Sequence, residues 1–496
     1  MTGPQKRLTA LADVTGPARR PGYDPADHGC GIVHLGTGAF HRAHQAVYTD
    51  DALSEAGGDW RIVGVSLRSP AIADAMNPQS GLYTLIERGV DGVSGRVVAS
   101  IDRVIAATRD SDAPLAALAR PQTRVVTLTV TEKAYGIDRK AMAVDPLHPA
   151  IAADLASPHT PAGAIGLIVE SLRRRRENNI APYTVLCCDN LPENGELLRA
   201  GVVDFANRID PDLASWIRES VSFPSSMVDR ITPAPTEATY KEATRLTGCR
   251  DLAAVETEPF SQWVIEDRFT AGRPAWEIGG ALFVDGVRPY EMMKLRMLNG
   301  AHSMLAYTGF LASRAYVRDV MADDDLSLLV DRHIQAAQQT LPPVSDFDLD
   351  QYRRDLVTRF ENPAIAHETR QIAMDGTEKL PQRILAPAMD TLRAHGDLRP
   401  FAFTVAAWMR YCLGRKDDDA RFALRDPREH EIHDAIAGLS TARDIADALH
   451  GLPGLFDPVL AENQAWRSLV ADRLQTMLEC GVRLAVGKEA EFVRSV

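Results

Sequence analysis

The chain has 496 residues, 45% of them hydrophobic and 25% charged, which is the composition of an ordinary globular protein. Its length predicts at least two domains, because a single hydrophobic core stops growing well below this size. A net charge of −12 at pH 7 argues against nucleic acid or an anionic membrane as a partner. No apolar run approaches the roughly 20 residues of a membrane span, and the N-terminus lacks an apolar signal core.

The six cysteines are scattered along the chain and include no Cys-x-x-Cys pair. This usage indicates reduced thiols in a cytoplasmic protein, with neither a zinc site nor a disulfide framework. The sequence leaves the oligomeric state open, and both a monomer and a dimer are compatible with it.

The first predicted strand follows an N-terminal arm, residues 1–24, whose content of Pro, Gly and Arg predicts a loosely held segment. Residues 31–35 form the strand, which runs through the turn Gly36-Thr-Gly38 into a predicted helix. In a dinucleotide-binding unit the first glycine makes a tight turn, and the second lets a pyrophosphate approach the helix N-terminus. His41 replaces the third glycine of the usual fingerprint, and a Gly-x-Gly turn also occurs without function.

The next predicted strand, residues 60–68, bears on the choice of dinucleotide. An acidic residue at the end of this strand usually binds the ribose hydroxyls of NAD, and no acid stands there. The strand ends in Ser66-Leu-Arg68-Ser instead, and Arg68 could contact the 2′-phosphate of NADP. The pattern therefore leaves both NAD and NADP open.

Two further apolar runs, residues 124–131 and 183–190, predict parallel strands that are buried on both faces. The first ends in Thr131-Glu-Lys and the second in Asp-Asn190. Ligands of open α/β sheets collect at the carboxyl ends of the strands, so these polar side chains are candidates for the cleft. Asn190 could equally be a turn residue before Leu-Pro.

From about residue 285 onward, apolar residues recur at helical spacing, and Lys294 is a polar residue in an otherwise apolar helix of this region. At about 100° per residue, an α-helix would place Glu291, Lys294, Asn299 and His302 within an arc of about 140°, facing one cavity. Burial can lower the pKa of a lysine by several units, which makes it a general base near neutrality. Alternatively, the lysine extends its ammonium to water, and Asn299 and His302 satisfy nearby backbone groups.

Several motifs together resemble the mannitol dehydrogenase family, whose members are zinc-independent, polyol-specific long-chain dehydrogenases. They occur in the family's order between about residues 30 and 415: His34-Leu-Gly-Thr-Gly-Ala-Phe-His-Arg-Ala-His44, Thr129-Val-Thr-Glu-Lys-Ala-Tyr135, Cys188-Asp-Asn-Leu-Pro-Glu-Asn-Gly195, Met227-Val-Asp-Arg-Ile-Thr-Pro233, Gln262-Trp-Val-Ile-Glu-Asp267 and Lys294-Leu-Arg-Met-Leu-Asn-Gly-Ala-His302. Within the family the chain is most similar to the fructuronate reductases, also called D-mannonate oxidoreductases. This similarity lies in Arg120-Pro-Gln-Thr123, in residues 291–300 and in residues 371–383.

The resemblance implies a role for each matching residue. Lys294 would be the general base that takes the proton of the hydroxyl being oxidised. Asn190 and Asn299 would donate hydrogen bonds to the substrate oxygen, and His302 would orient the substrate and the lysine. Glu291 would relay protons or tune the lysine. The substrate site would also include Asp229 and Lys379, and the cofactor would contact Gly36, Gly38, Phe40 and Arg42, with Arg68, Thr131 and Glu132 as further candidates.

One departure from the mannitol-oxidising relatives concerns the substrate. Those relatives usually carry arginine at the position of Gln371. The sugar-acid reductases carry glutamine there, as this chain does. The difference favours fructuronate, whose carboxylate needs a charge-assisted partner. Three cations stand near this position in the sequence, Arg370, Lys379 and Arg383, and the sequence does not choose among them.

The predicted fold class is α/β, with a Rossmann-type domain over residues 25–285 and a mainly helical substrate domain over residues 286–496. The predicted activity is NAD-dependent interconversion of D-fructuronate and D-mannonate, with NADP left open and no metal. A neutral polyol such as mannitol or arabinitol is the alternative substrate, and a non-catalytic nucleotide-dependent sensor is the alternative from another class. The β-hydroxyacid dehydrogenases space their lysine and asparagine as Lys-x3-Asn, whereas this chain has Lys-x4-Asn.

Overall fold

The computed structural model describes residues 6–131, 134–344, 347–364 and 366–495. The chain divides into two compact units, Met1–Arg288 and Pro289–Val496. No helix in the described ranges is long and apolar enough to cross a membrane. Within the same ranges, no three His, Cys, Asp or Glu side chains are grouped so as to hold a metal ion.

The N-terminal unit is built around a parallel sheet. Its strands are β1 (Cys30–Leu35), β2 (Arg61–Ser66), β3 (Tyr83–Gly89), β4 (Gly92–Val98), β5 (Ile101–Ala106), β6 (Val125–Leu128), β7 (Ile137–Asp138), β8 (Ala143–Val144), β9 (Thr184–Cys187), β10 (Ser226–Asp229), β11 (Val255–Thr257), β12 (Gln262–Glu266) and β13 (Leu282–Val284). The main sheet has the order β5-β2-β1-β6-β9, and all of its neighbouring strands are parallel. The chain therefore winds outward in both directions from β1, as in a Rossmann fold.

Helices cover both faces of this sheet. They are α1 (Ala39–Ala43), α2 (Gln45–Ala56), α3 (Ala71–Met76), α4 (Asp112–Ala119), α5 (Pro149–Ala156), α6 (Ala164–Glu177), α7 (Asn194–Ile209), α8 (Pro211–Ser220) and α9 (Glu237–Thr247). Val33 and Leu35 pack into a core with α4, α6 and α7, whereas Ile32 packs into a second core with α2 and α3. Because side chains alternate along a strand, two buried faces require the continuous apolar runs seen in the sequence.

Smaller sheets surround the main one. Strands β10, β12 and β13 form one of them, with β10 antiparallel to β12. Strands β11, β3 and β4 form another, and β7 pairs with β8. Strand β10 ends at Asp229, and Ser226 at its start donates a hydrogen bond to Cys187 O at the end of β9 (2.6 Å). This bond brings the start of β10 to the carboxyl end of the main sheet.

The N-terminal arm is packed, and the prediction that it is loosely held was wrong for the described residues from Lys6 onward. Leu8, Val14 and Ala18 are buried in a small core with α9 and the β3–β4 hairpin. The amide of Leu8 donates to Arg250 O (3.1 Å), and the amide of Ala18 donates to Leu246 O (2.9 Å). Burial of these three apolar side chains holds the arm against the rest of the unit, which its overall content of Pro, Gly and Arg does not reveal.

The C-terminal unit is mainly helical. Its described residues form isolated β-bridges but no β-strand of two or more residues. Its helices are α10 (Arg288–Met293), α11 (Gly300–Leu311), α12 (Val317–Met321), α13 (Asp324–Gln338), α14 (Leu349–Glu361), α15 (Thr369–Ala373), α16 (Gly376–Leu380), α17 (Ala386–Arg393), α18 (Arg399–Cys412), α19 (Glu429–Ile436), α20 (Ala442–His450), α21 (Pro458–Glu462), α22 (Gln464–Cys480) and α23 (Val482–Ser495). Helix α11 is buried along its whole length and contacts α13, α15, α18 and α23. The predicted fold class is thus confirmed.

Candidate active site

The turn after β1 requires glycine at Gly36. Its φ is +99°, and a Cβ at this position would lie 2.2 Å from Thr129 O, where no side chain fits. The amide of Gly36 donates to Val65 O (2.9 Å), so the turn is fixed between β2 and the end of β6. The tight turn predicted from the sequence is therefore a packing requirement of the sheet itself.

Gly38 has a different reason to be glycine. It is exposed, and the nearest atom to an added Cβ is Gly36 O at 3.7 Å, so protein packing does not exclude a side chain. Gly38 lies at the start of α1, on the wall of a cleft of about 520 Å³. An absent side chain at this position keeps the helix start open to a ligand.

The cleft collects several of the predicted cofactor residues. Gly36, Gly38, Arg42 and Arg68 line it, together with Ser66, Ser69, Val130 and Tyr240. Phe40 is half-buried and stacks on His44 at 5.0 Å, and neither Phe40 nor Thr131 is among the described lining residues. Glu132 lies outside the described residues.

Arg42 is a buried cation beside the glycine turn. Its side chain is 5% exposed, and Nη1 donates to Thr37 O (3.1 Å). Its Nε has no hydrogen-bond partner among the described residues, and burial lowers the pKa of the guanidinium. A cation with an unused donor at this place suits a phosphate group.

His41 explains why the third glycine is missing. Its ring stacks on His34 with centroids 3.4 Å apart and an interplanar angle of 12°, and both residues are fully buried. His34 lies 2.7 Å from Thr127 Oγ1 and 2.9 Å from Thr129 Oγ1. Burial lowers the pKa of His34 to about 3, so the stacked ring is neutral at pH 7. The imidazole pair provides the close contact between helix and strand that the third glycine usually permits.

The end of β2 carries no acid, as the sequence predicts. Ser66 donates to Ser69 O (2.7 Å), and Arg68 is exposed on the wall of the cleft. The lining residues of the cleft include no carboxylate in the described part of the chain. This edge of the cleft therefore presents hydroxyl groups and positive charge.

Asn190 follows the end of β9, and Asp229 is the last residue of β10. One side chain, that of Asn194, connects the two strands. Asn194 donates from Nδ2 to Asp189 O (3.0 Å) and to Ser226 O (2.7 Å), and its Oδ1 accepts from the Ser226 amide (2.9 Å). Asn190 is exposed, whereas Asp229 is buried. The buried Asn194 thus fixes the backbone next to Asn190 and the start of the strand that ends at Asp229.

The lysine segment is not the regular α-helix that the 100° spacing assumed. Residues Lys294–Asn299 form a π-helix between α10 and α11, and the Gly300 amide donates to Leu295 O, five residues back. In a helix closed by such bonds, residues five apart lie above one another, whereas in an α-helix they are about 140° apart. The wider π-helical turn therefore brings Lys294 and Asn299 to the same side of the helix, with a smaller angle between them than the regular α-helix predicts.

A second π-helical segment, Pro381–Leu385, carries Arg383 and packs against the first. The contact depends on Gly300, because an added Cβ there would lie 2.9 Å from Arg383 O and 3.2 Å from His333 Nε2. Short π-helical turns inside α-helices often occur at functional sites. Here the pair brings Lys294, Asn299 and Arg383 into one region of the C-terminal unit.

His302 and Asn299 point unused polar atoms into this region. His302 Nε2 and Asn299 Nδ2 are buried and have no hydrogen-bond partner among the described residues. Burial, followed by nearby positive charges, lowers the pKa of His302 well below its ordinary value, so the ring is neutral. Since buried polar atoms are nearly always paired in proteins, these two are suited to a ligand.

Cations surround His302. The pKa of His302 is lowered further by the charges of His367, Arg383, Arg359 and Lys294. The ring of His302 lies 5.2 Å from that of His367. Lys379 donates to Met374 O (2.6 Å) and lies 3.5 Å from Asp375 Oδ2, and burial lowers its pKa. Burial also lowers the pKa of His367, so we call only Arg359, Lys379 and Arg383, which lie around the two histidines, the cationic cluster.

Arg370 differs from the other two predicted carboxylate partners. It is exposed on α15, whereas Lys379 and Arg383 are partly buried beside the π-helical segments. Arg359 and His367 are not predicted from the sequence, and they lie in a different helix and a different loop from His302. No periodicity or motif identifies them, because only tertiary packing brings them to His302.

Comparison with known proteins identifies the family. The mannitol dehydrogenase Rossmann domain matches residues 30–278, and the mannitol dehydrogenase C-terminal domain matches residues 286–478. The uncharacterized oxidoreductase YeiQ of Escherichia coli (strain K12) is 42% identical over 480 residues, which cover 93% of this chain and 97% of that protein. D-mannonate oxidoreductase of the same organism is 41% identical over 484 residues, covering 97% of this chain and 99% of that protein.

A solved structure agrees. The ternary complex of Pseudomonas fluorescens mannitol 2-dehydrogenase with NAD and D-mannitol has 34% sequence identity and a TM-score of 0.82, over 98% of this chain and 99% of that chain. The matched regions span both units. The chain therefore belongs to the mannitol dehydrogenase family of oxidoreductases.

Proposed function

We propose that this protein interconverts D-fructuronate and D-mannonate with NAD as the cofactor. The observation that carries the proposal is the cationic cluster around His302, whose Nε2 has no hydrogen-bond partner in the described part of the chain. A hexuronate brings a carboxylate, and a carboxylate is held best by cations that are partly removed from water. The 41% identity to D-mannonate oxidoreductase supports the same substrate class.

The proposed chemistry is oxidation of a secondary alcohol and its reverse. A bound nicotinamide cofactor would supply the acceptor for the hydride of the alcohol carbon. Lys294 takes the hydroxyl proton in oxidation and returns it to the ketone oxygen in reduction. Asn190 and Asn299 donate hydrogen bonds to that oxygen as negative charge develops on it, and His302 holds the substrate against the lysine.

The substrate's remaining groups have partners by the same proposal. Asp229 accepts hydrogen bonds from sugar hydroxyls, and Lys379 and Arg383 bind the carboxylate. These contacts orient the reacting carbon, which converts binding energy into rate. Arg370 is exposed on α15, so we assign it no direct contact.

The cleft of the N-terminal unit fits a dinucleotide. Gly38 leaves the start of α1 open to the pyrophosphate, and Arg42 offers an unused Nε donor beside it. NADP is a second cofactor to be tested, because Arg68 lines the cleft and no acidic residue stands at the end of β2. The complex of the mannitol 2-dehydrogenase of Pseudomonas fluorescens with NAD favours NAD.

A neutral polyol is the second candidate substrate, because that same relative is solved with D-mannitol. The deciding experiment follows NADH absorbance with fructuronate and fructose, and in reverse with mannonate, mannitol and arabinitol. Each assay is repeated with the NADP couple. A kcat/KM for fructuronate at least about tenfold above that for fructose supports the proposal, since this ratio corresponds to about 1.4 kcal/mol of selective binding.

The opposite results are equally clear. A higher kcat/KM for mannitol or arabinitol than for mannonate would keep the lysine chemistry and overturn the substrate. Dinucleotide binding without turnover of any of these compounds would support the non-catalytic sensor.

A further inference from the structure

The loop after β6 is held in an unusual conformation by one carboxylate. Thr131 has φ of +75°, a region that β-branched residues rarely enter. Its amide donates to Asp189 Oδ1 (3.1 Å), and the amide of Val130 donates to Asp189 Oδ2 (3.1 Å). Such strain persists only where the surroundings impose it, and here two hydrogen bonds to one side chain do so.

Tyr135 completes the coordination of this carboxylate. Its hydroxyl donates to Asp189 Oδ2 (2.6 Å), and it also lies 3.4 Å from Cys187 Sγ. Tyr135 is buried and Asp189 is partly buried, so water competes little for the bond between them, whereas the bond from the exposed Thr131 is open to water. Asp189 therefore accepts three hydrogen bonds from the segment Val130–Tyr135, two of whose described members, Val130 and Ala134, line the dinucleotide cleft.

The backbone of Asp189 is fixed as firmly as its side chain. Its carbonyl accepts from the Leu191 amide (2.9 Å) and from Asn194 Nδ2 (3.0 Å). Asn190 stands between these anchored positions, so its exposed side chain projects from a backbone that cannot readily turn. Asp189 thus connects Val130, on the wall of the dinucleotide cleft, to the backbone of Asn190.

We propose that Asp189 is a positioning residue, which sets the loop after β6 for the dinucleotide and holds Asn190 for the substrate oxygen. This inference rests on the proposed function, because it takes the role of Asn190 from there. Asp189→Asn keeps the size of the side chain but replaces one acceptor oxygen with an NH₂ group. That group cannot accept the hydrogen bonds that the carboxylate accepts from Val130, Thr131 and Tyr135. The loop must then leave its strained conformation.

The test compares Asp189→Asn with a matched control, Asp204→Asn. Asp204 also accepts from a backbone amide, that of Val144 (3.0 Å), but it lies on α7 and is not among the described residues that line the cleft. We expect Asp189→Asn to raise the Kd for NADH, measured by calorimetry without sugar, by about tenfold or more, and to lower kcat by a similar factor. Asp204→Asn should leave both within about twofold, even where it lowers the unfolding temperature.

Two further variants separate positioning from simple loss of structure. Tyr135→Phe removes one hydrogen bond and keeps the carboxylate, so it should raise the NADH Kd by about two- to fivefold. Because Asp189 acts through Asn190, the effects of Asp189→Asn and Asn190→Ala on kcat should be less than multiplicative in the double variant. If Asp189→Asn does not fold, the Tyr135→Phe result decides.

The proposal is overturned if Asp189→Asn changes neither the NADH Kd nor kcat by more than about twofold, or if its effect on kcat multiplies with that of Asn190→Ala. An unchanged NADH Kd in Tyr135→Phe counts against it in the same way. Failure of the proposed function looks different, because the parent protein would then bind NADH normally and not turn over the sugar acid.

Discussion

Lys294 and Asn299 are the first and last residues of one π-helical segment, and this spacing sets them one turn apart on the same side. The Nδ2 of Asn299 is buried without a partner among the described residues, and Lys294 is itself buried. With the role proposed for Lys294, this helical turn holds a proton acceptor and a hydrogen-bond donor on the same side, as the oxidation of an alcohol requires.

Removing the lysine should remove the proton transfer. We expect Lys294→Ala to lower kcat by about 10² to 10⁴, the usual contribution of general acid–base catalysis, and to leave NADH binding near that of the parent. Steady-state kinetics and calorimetry measure the two effects. The exposed Lys488→Ala serves as the control. A kcat of Lys294→Ala within about tenfold of the parent would exclude the general-base role.

The two glycines of the first turn should respond in opposite ways. Gly38→Ala meets no close atom, so the unfolding temperature should change by no more than about 2 °C, while the added methyl group weakens NADH binding about tenfold or more. Gly36→Ala places a Cβ 2.2 Å from Thr129 O and should destabilise the N-terminal unit severely. Thermal unfolding and NADH titration test both. Unchanged NADH binding by Gly38→Ala would place the pyrophosphate elsewhere.

The cationic cluster should distinguish charged from neutral substrates. We expect Arg383→Met to lower kcat/KM for fructuronate by about tenfold or more, because a charge-assisted hydrogen bond contributes about 1.5–3 kcal/mol. Turnover of fructose should fall much less, and Lys379→Met should behave similarly. The control is Arg354→Met, on the exposed side of α14. Equal losses for both sugars would show that Arg383 does not bind the carboxylate.

Arg68 should influence the choice of dinucleotide. If it lies beside the adenosine ribose, Arg68→Glu will weaken NADP binding by about tenfold and NAD binding by less, through repulsion of the 2′-phosphate. Calorimetric Kd values for both dinucleotides give the ratio, and Arg218→Glu on α8 is the exposed control. If Arg68→Glu leaves the ratio of the NADP and NAD Kd values unchanged, Arg68 does not lie beside the ribose.

His333 should make the protein less stable in acid. Burial lowers its pKa to about 4, whereas an unfolded histidine titrates near 6.5. As the pH falls from 6.5 toward 4, the unfolded chain binds a proton here that the folded chain does not. The free energy of unfolding therefore decreases by up to about 1.4 kcal/mol per pH unit from this residue.

Thermal unfolding between pH 5.0 and 7.0 measures this dependence. His333→Gln should show a smaller decrease in unfolding temperature toward pH 5.0 than the parent, whereas His430→Gln, at an exposed position, should follow the parent. Identical slopes for His333→Gln and the parent would mean that His333 is already charged in the folded protein.

Local constraints explain what the sequence determined by itself. Gly36, Gly38 and the apolar runs of β1, β2, β6 and β9 predict the parallel sheet, because turn conformation and burial on two faces depend on short stretches of chain. The spacing of apolar residues after about residue 285 likewise predicts the helical unit. The family motifs point to Lys294 and Asn190 for the same reason, since each motif is continuous in sequence.

Only the tertiary structure decided the rest. The π-helical turn from Lys294 to Asn299 does not follow from apolar spacing, because it forms where Gly300 lets a second π-helical segment approach. The cations around His302 come from separate segments, and Asp189 reaches a loop nearly 60 residues earlier in the chain. Contacts between distant segments depend on how complete side chains pack, and a periodic pattern of residue types does not encode that packing.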